Sequence, residues 1–407
     1  MRRVVVTGRG LVSSLGNTPQ EALARLHKLE NCVEISEDLK TYRNLQTCLW
    51  APCNFEKPAA WNRKVTRTMS PVSMMALKAT EDALADAHLT NDPVIKSGRL
   101  GIAYGSCSGG VDACADFVTV LRDHEVRNVT SSTYIKMMSQ TTAVNLSVHF
   151  GTTGRLLPTG TACTSGSLAI GEAYESIRFG RQDVMIAGGA EEFSVTQVAV
   201  FDTLFATSRQ NTTPKLSPRA FDADRDGLVI GDGAATLILE EREHALARGA
   251  TIYAEIVGFG LNTDGRHVTQ PNAETMAQAL RLALDDAQLS PEAIGYVNAH
   301  GTATDLGDVA EATAIGSVFG THRVPLSTIK SYTGHTLGAC GALEAIVSID
   351  MMREGWFAPN LNLKTPDPRC GDLDFIRDEG RSFQTDLIMS NNFAFGGVNT
   401  SLIFRRV

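Results

Sequence analysis

The sequence predicts an α/β fold built as two similar halves, and three observations carry that expectation. Short apolar runs alternate with amphipathic segments along the chain, a similar order of segments recurs after about residue 250, and no Pro/Ser-rich or charged linker parts the two stretches. Helix-covered sheets sharing one body follow, with halves expected at residues 1–250 and 251–407.

The elements are expected in this order. RVVVTGRG at the start reads as a buried strand ending in a glycine turn, and PVSMMALKATEDALADAH at 71–88 has the apolar spacing of an amphipathic helix. LGIAYGS at 100–106 is a strand, followed by a helix over 164–179 and strands at 183–190, 234–241 and 252–260. The second half predicts a helix over 273–287, a strand IGYVNAHG at 294–301, and helices over 308–319 and 339–354. Strands LIMSNNF and SLIFRRV close the chain.

With 43% hydrophobic and 20% charged residues, 407 residues can bury one large core or two medium ones. The net charge of -8 gives no overall attraction to nucleic acid or an anionic membrane. No apolar run approaches the roughly 20 residues of a membrane span, and MRRVVVTGRG is too short in apolar content for a signal peptide, so a cytoplasmic protein is expected. Eight cysteines without a C-x-x-C unit suggest buried free thiols rather than a zinc ribbon or a redox motif.

Two motifs are decoys on this reading. Gly8-Arg9-Gly10 follows a strand as a dinucleotide fingerprint would, but Ser13 stands at the third glycine position. DADRDG at 222–227 copies the first half of a calcium loop, yet Gly233 stands where a bidentate Glu is needed. A turn whose carboxylates cap backbone amides is the expectation there.

The chemistry centres on GTACTSGSLAIGEAYESIRFG at 160–180. A helix N-terminus favours thiolate over thiol, so Cys163 is expected below the free value of about 8.5. Gly160, Thr161, Ala162, Ser165, Gly166 and Ser167 leave room for an acyl group at the sulfur. Alone, such a cysteine is more often a packed thiol. His300, on a glycine turn after its strand, and His335, among Gly334, Gly338 and Gly341, tip the reading toward catalysis. Thr302, Thr304 and Asp305 fit hydrogen bonds within the loop after His300 or a cap for the helix beginning near Asp308. NNFAFGGVNTS places Phe393 and Phe395 beside a Gly-Gly pair whose amides suit an oxyanion hole, although an ordinary hairpin with core aromatics fits the same residues.

TAC at 161–163, NAHGTATDLGD at 298–308, KSYTGHTLGACGALEA at 330–345 and NNFAFGGVN at 391–399 closely resemble four motifs of the β-ketoacyl-acyl carrier protein synthases of the I/II type. MRRVVVTGRGLVSSLG, NRKVTRTMS, FDADRDGLVIGDGA and SLIF extend the resemblance over nearly the whole chain. It implies a thiolase-like fold, two similar halves with mixed five-stranded sheets in α-β-α-β-α layers, usually dimeric with itself or with a related subunit. It also implies decarboxylative condensation of an acyl-Cys enzyme with malonyl-acyl carrier protein, without an organic cofactor or a catalytic metal. Cys163 is then the acyl acceptor, His300 and His335 the pair that holds the enolate, and Lys330 with Glu344 their supporting ion pair. The backbone amides of Cys163 and Phe395 form the oxyanion hole, and Phe393 and Phe395 belong to a gate. Asp264 and His267 lie on a second mobile loop, and Thr302, Thr304 and Ser108 complete the substrate contacts. Arg63, Lys64 and Arg67 match basic positions that meet the acidic carrier protein, and a structural monovalent cation is implied near Asn298, Glu344 and Asn391.

The chain departs from the family pattern at Thr164-Ser165, Ala394 and Cys340, and its small Ser108 suggests room for a longer, rigid or branched chain. Polyene or polyketide assembly therefore competes with fatty acid synthesis. A thiolase would need a second cysteine in a C-terminal glycine-rich loop, and none follows Cys370. A non-elongating partner of chain-length-factor type is the other alternative, but such relatives usually lack the nucleophile.

Overall fold

The computed structural model describes residues 1–320 and 322–407. Eleven strands make its main sheet: β1 (Val4–Val12), β2 (Leu100–Gly105), β3 (Leu156–Thr159), β4 (Val184–Glu191), β5 (Gly233–Glu241), β6 (Ala254–Thr263), β7 (Tyr296–Asn298), β8 (Pro325–Ser327), β9 (Asp374–Phe375), β10 (Leu387–Phe393) and β11 (Val398–Arg405). One five-stranded pattern occurs twice. In the order β1-β5-β4-β2-β3 the first two pairings are antiparallel and the last two parallel. The order β6-β11-β10-β7-β8 repeats those directions, with β9 added at the edge.

The expected sheets are joined rather than separate. β1 pairs antiparallel with β6 through Val4–Ile256, Val5–Glu255 and Val6–Ala254, so the edge strand of each unit is paired with the other.

Six helices matter for the site: α1 (Pro71–Asp86), α2 (Ser165–Arg178), α3 (Val195–Thr203), α4 (Ala273–Ala287), α5 (Asp305–Phe319) and α6 (Cys340–Glu354). α2 and α6 fill the space between the two sheet units, where Ile170 and Ile346 join one core with Leu237 and Leu402. α1 covers the outer face of the first unit through Val72, Met75 and Ala79, and α4 and α5 cover that of the second through Leu280 and Ile315. The layers thus run helix, sheet, helix, sheet, helix, with apolar faces buried at each contact.

The Gly8-Arg9-Gly10 segment is strand, not turn, because it packs on a helix. A Cβ on Gly10 would lie 2.1 Å from the Ala79 carbonyl oxygen, and one on Gly8 2.2 Å from that of Ala83. Gly258 and Gly260 of β6 meet Ala283 and Ala279 of α4 in the same way, at 2.4 and 2.1 Å. The glycines serve close strand-to-helix packing in both places, which also removes the nucleotide reading.

Other expectations shift at their ends. The 294–301 strand is confined to Tyr296–Asn298, and the final strand starts earlier, at Val398. α5 begins at Asp305, and Thr304 at its N-cap makes no side-chain capping bond. The DADRDG carboxylates do cap amides. Asp222 accepts from Asp224, Lys364 and Thr365 N–H groups, and Asp226 from that of Arg209. All eight cysteines are free. Among the described residues no helix is long and apolar enough to cross a membrane.

Candidate active site

Cys163 sits in a single turn, Ala162–Thr164, that leads directly into α2. Ala162 has φ of 52°, left-handed for a non-glycine residue, and this sharp entry presents the next side chain at the helix mouth. The departures Thr164 and Ser165 brace the turn: their hydroxyls donate to the carbonyls of Thr161 and Ala162 at 2.8 and 2.7 Å. Cys340 adds a thiol donor to the Cys163 carbonyl at 3.2 Å.

His335 reaches Cys163 Sγ with Nε2 at 3.0 Å. The Leu337 backbone N–H donates to His335 Nδ1 at 3.2 Å, which makes Nδ1 the acceptor and leaves the proton on Nε2. His300 has the same tautomer for another reason. Lys330 Nζ and Asn392 Nδ2, both donors, stand 3.2 and 3.4 Å from its Nδ1. Two Nε2–H groups and one sulfur therefore converge on one point.

Buried carboxylates hold these side chains from behind. Glu311 of α5 accepts the backbone N–H groups of His300 and Gly301 at 2.7 and 2.8 Å, and burial lifts its carboxyl to about 8. Glu191 at the end of β4 accepts from Cys107 N–H at 2.8 Å and Gly338 N–H at 3.2 Å, tying the loop after β2 to the His335 turn. Its neighbour Glu192 accepts from Val72 at the start of α1 and from Val111 at the start of helix Val111–Asp123. Lys330 and Glu344 form a buried ion pair, with Asn392 donating to the second Glu344 oxygen at 2.7 Å.

The electrostatics correct one expectation. Burial pushes the Cys163 thiol up to about 11, although Lys330 and the backbone N–H groups of Phe395 and Cys163 pull the other way. At this buried sulfur desolvation outweighs the helix terminus. Burial, with the Lys330 cation added, holds both histidines well below their ordinary 6.5, so they are neutral donors. Burial also works against the Lys330 ammonium, but Glu344 more than restores it and holds it above its ordinary value.

One ligand atom from each of Cys163, His300 and His335 lies within 4.8 Å of the others, close enough to chelate a soft metal ion. Protons on both Nε2 atoms and the nearby ammonium favour an anion there instead. At the implied cation position Asn298 Oδ1 is buried without a donor and fits a small cation beside Glu344. Asn391 fits less well, because its Oδ1 accepts from the Ser401 hydroxyl and its Nδ2 has no partner among the described residues.

A cavity of about 560 Å³ opens onto Cys163, and His300, His335, Thr302, Thr304, Phe393, Phe395, Asp264 and His267 line it. Phe395 packs against Phe201 of α3 with ring centres 5.0 Å apart and planes tilted by 39°. The two loops touch: Gly396 N–H donates to the Val268 carbonyl and Asp264 N–H to that of Gly397, both at 2.8 Å. Asp264 is largely a brace, since its carboxylate accepts from Thr275 and Asn399. Ser108 does not line this cavity. Its N–H turns toward Glu191, and its hydroxyl faces Gln197 of α3 at 3.5 Å. Arg63, Lys64 and Arg67 are exposed on and beside a one-turn helix that Asn62 caps.

Sequence reasoning missed Glu191, Glu311, Asn392 and Phe201. The one available signal was a pair of acidic residues, Glu191-Glu192, directly after the apolar strand VMIAGGA.

The family "Beta-ketoacyl synthase, N-terminal domain" matches residues 1–245, and "Beta-ketoacyl synthase, C-terminal domain" matches 253–364. The chain is 36% identical over 409 residues to 3-oxoacyl-(acyl-carrier-protein) synthase 1 of Escherichia coli (strain K12), with 100% of each covered. It superposes on a β-ketoacyl synthase from Burkholderia phymatum STM815 with a TM-score of 0.98 and 57% identity, covering 100% of both chains. The ishigamide ketosynthase/chain length factor is also similar, with a TM-score of 0.92 and 29% identity over 100% of this chain and 99% of that one.

Proposed function

This chain belongs to the β-ketoacyl synthase family, and from that premise we propose that it condenses an acyl group held on Cys163 with a malonyl group on an acyl carrier protein, in fatty acid or related chain elongation. It is an acyltransferase with a thiolase-like fold. The observation that carries the reading is the convergence of Cys163 Sγ with two Nε2–H donors at the end of one cavity.

Each group has a part in the reaction. Cys163 Sγ attacks the carbonyl of the incoming thioester, and the tetrahedral oxyanion lies toward the N–H groups of Cys163 and Phe395, which already face the sulfur. The carrier thiolate leaves and takes the proton that the cysteine gives up. Malonyl thioester then enters, its carbon–carboxylate bond breaks to release carbon dioxide, and the electron pair passes to the thioester oxygen. The Nε2–H groups of His300 and His335 stabilise that enolate, which is why both must be neutral and protonated at this atom. The carbanion attacks the acyl-Cys carbonyl, the carbon–sulfur bond breaks, and the sulfur leaves as thiolate and takes a proton from solvent.

In this reading residues 1–250 supply the nucleophile and 251–407 the two histidines. Arg63, Lys64 and Arg67 meet the acidic carrier protein, the dimer partner is a second copy or a related subunit, and the place of work is the cytoplasm. A non-elongating subunit would have no use for the three converging groups. The test is incubation with malonyl- and acyl-carrier protein and detection of the extended 3-ketoacyl product by intact mass. Product from the wild type and none from Cys163→Ala is the expected result; product retained by the variant would overturn the assignment of the nucleophile.

A further inference from the structure

The end of α3 carries an unusual residue. Ala206 N–H donates to the Phe201 carbonyl at 2.9 Å and Phe205 N–H to that of Asp202 at 3.0 Å, the bond pattern of a Schellman close. The residue that must turn left-handed in this motif is ordinarily glycine. Here it is Phe205, with φ of 54°. The residue is 78% exposed, so the position combines backbone strain with an apolar surface left in water. The Arg209 guanidinium lies 5.4 Å from the ring centre.

Phe205 has exposed company. Leu204 is 45% exposed, Val268 69% and Leu306 58%, and all four residues line the mouth of the cavity that ends at Cys163. They come from three separate segments, the end of α3, the loop after β6 and the first turn of α5, and line the same cavity. Clustered exposed apolar side chains mark contact surfaces more often than scattered ones do. The Val268 segment is also bonded to Gly396 of the gate loop, so part of the rim is fixed to the wall around the nucleophile.

From these observations we infer that Leu204, Phe205, Val268 and Leu306, with Arg209 beside them, form a docking lip for the carrier protein, taking an apolar patch of that protein bounded by carboxylates. The inference rests on the condensation reading above, since a thioester tethered to a protein must enter through this mouth and bring its carrier down onto the rim. Arg209 supplies the cation that an acidic partner meets at the edge of the apolar contact.

The test uses Phe205→Gly in the full-length protein, because glycine relieves the left-handed backbone and leaves the helix close intact. The melting temperature is expected to be unchanged or higher. Binding of acyl-carrier protein, measured by calorimetry without turnover, is expected to weaken about tenfold, and KM for carrier-bound substrate to rise by a similar factor. Condensation from a coenzyme A thioester, which brings no protein to the rim, stays at the wild-type rate. Unchanged carrier binding would overturn the proposal. So would an equal loss with both donors, which would make the lip an acyl-chain contact, or dissociation of an oligomer in sedimentation, which would make a second copy its occupant. Failure of the condensation reading would be distinct, because the wild type itself would then yield no product from either donor.

Discussion

Cys163 and its two histidines share a local device that their sequence contexts hide. Ala162, Ala303 and Leu337, with φ of 52°, 64° and 48°, stand one to three residues from Cys163, His300 and His335, so each of these side chains lies beside a strained turn. The three residues stood out in the sequence because a cysteine and two histidines are each set among small residues, and the structure brings them together. Their environment was not. The helix N-terminus predicted a low thiol pKa, whereas burial by segments remote in sequence raises it. Glu191 stayed hidden for the same reason, since one amide it receives, that of Gly338, lies 147 residues away. A consequence can be measured in the iodoacetamide alkylation rate of the resting enzyme. The rate is expected to climb with pH toward about 11. Because Lys330 pulls the thiol down, Lys330→Met shifts that profile to higher pH, and a profile unmoved by the substitution would remove the cation's influence on the sulfur.

At the level of elements, the sequence placed most helices and strands but misread how two of them fit. Gly8-Arg9-Gly10 was legible as glycine-rich and therefore as a turn. Only the opposing alanines of α1, some seventy residues on in the chain, explain why a strand needs glycine there. Gly10→Ala would put a methyl 2.1 Å from a backbone oxygen that a helix cannot move without shifting as a whole. A loss of about 1–3 kcal/mol is expected from overpacking, read as a lower urea midpoint. Gly260→Ala meets the same obstacle in α4 and should cost a similar amount. If Gly10→Ala were neutral while Gly260→Ala was not, the first contact would be loose. The short strand β8 and helix α3 escaped the sequence reading because three to nine residues carry too little periodicity to stand out.

For the whole molecule, the buried histidines set a pH limit. Their folded pKa values lie well below the ordinary 6.5, so the unfolded chain binds protons first as pH falls. The stability they contribute is fully present above 6.5 and is lost on acidification through the window below it. Melting temperature should therefore fall as pH is lowered from 7 toward 5, and the double variant His300→Asn, His335→Asn should show a shallower fall; equal slopes would assign the acid sensitivity elsewhere. The alternation of elements made the twofold pattern of the chain legible, but not its closure. Three residue pairs between β1 and β6 turn two five-stranded units into one sheet. Exchange between relatives is constrained by that seam. A chimera that takes its first half from one synthase and its second from another must match Val4–Val6 to Ala254–Ile256 as closely as it matches the catalytic groups, so the halves are inherited as a set rather than as interchangeable parts.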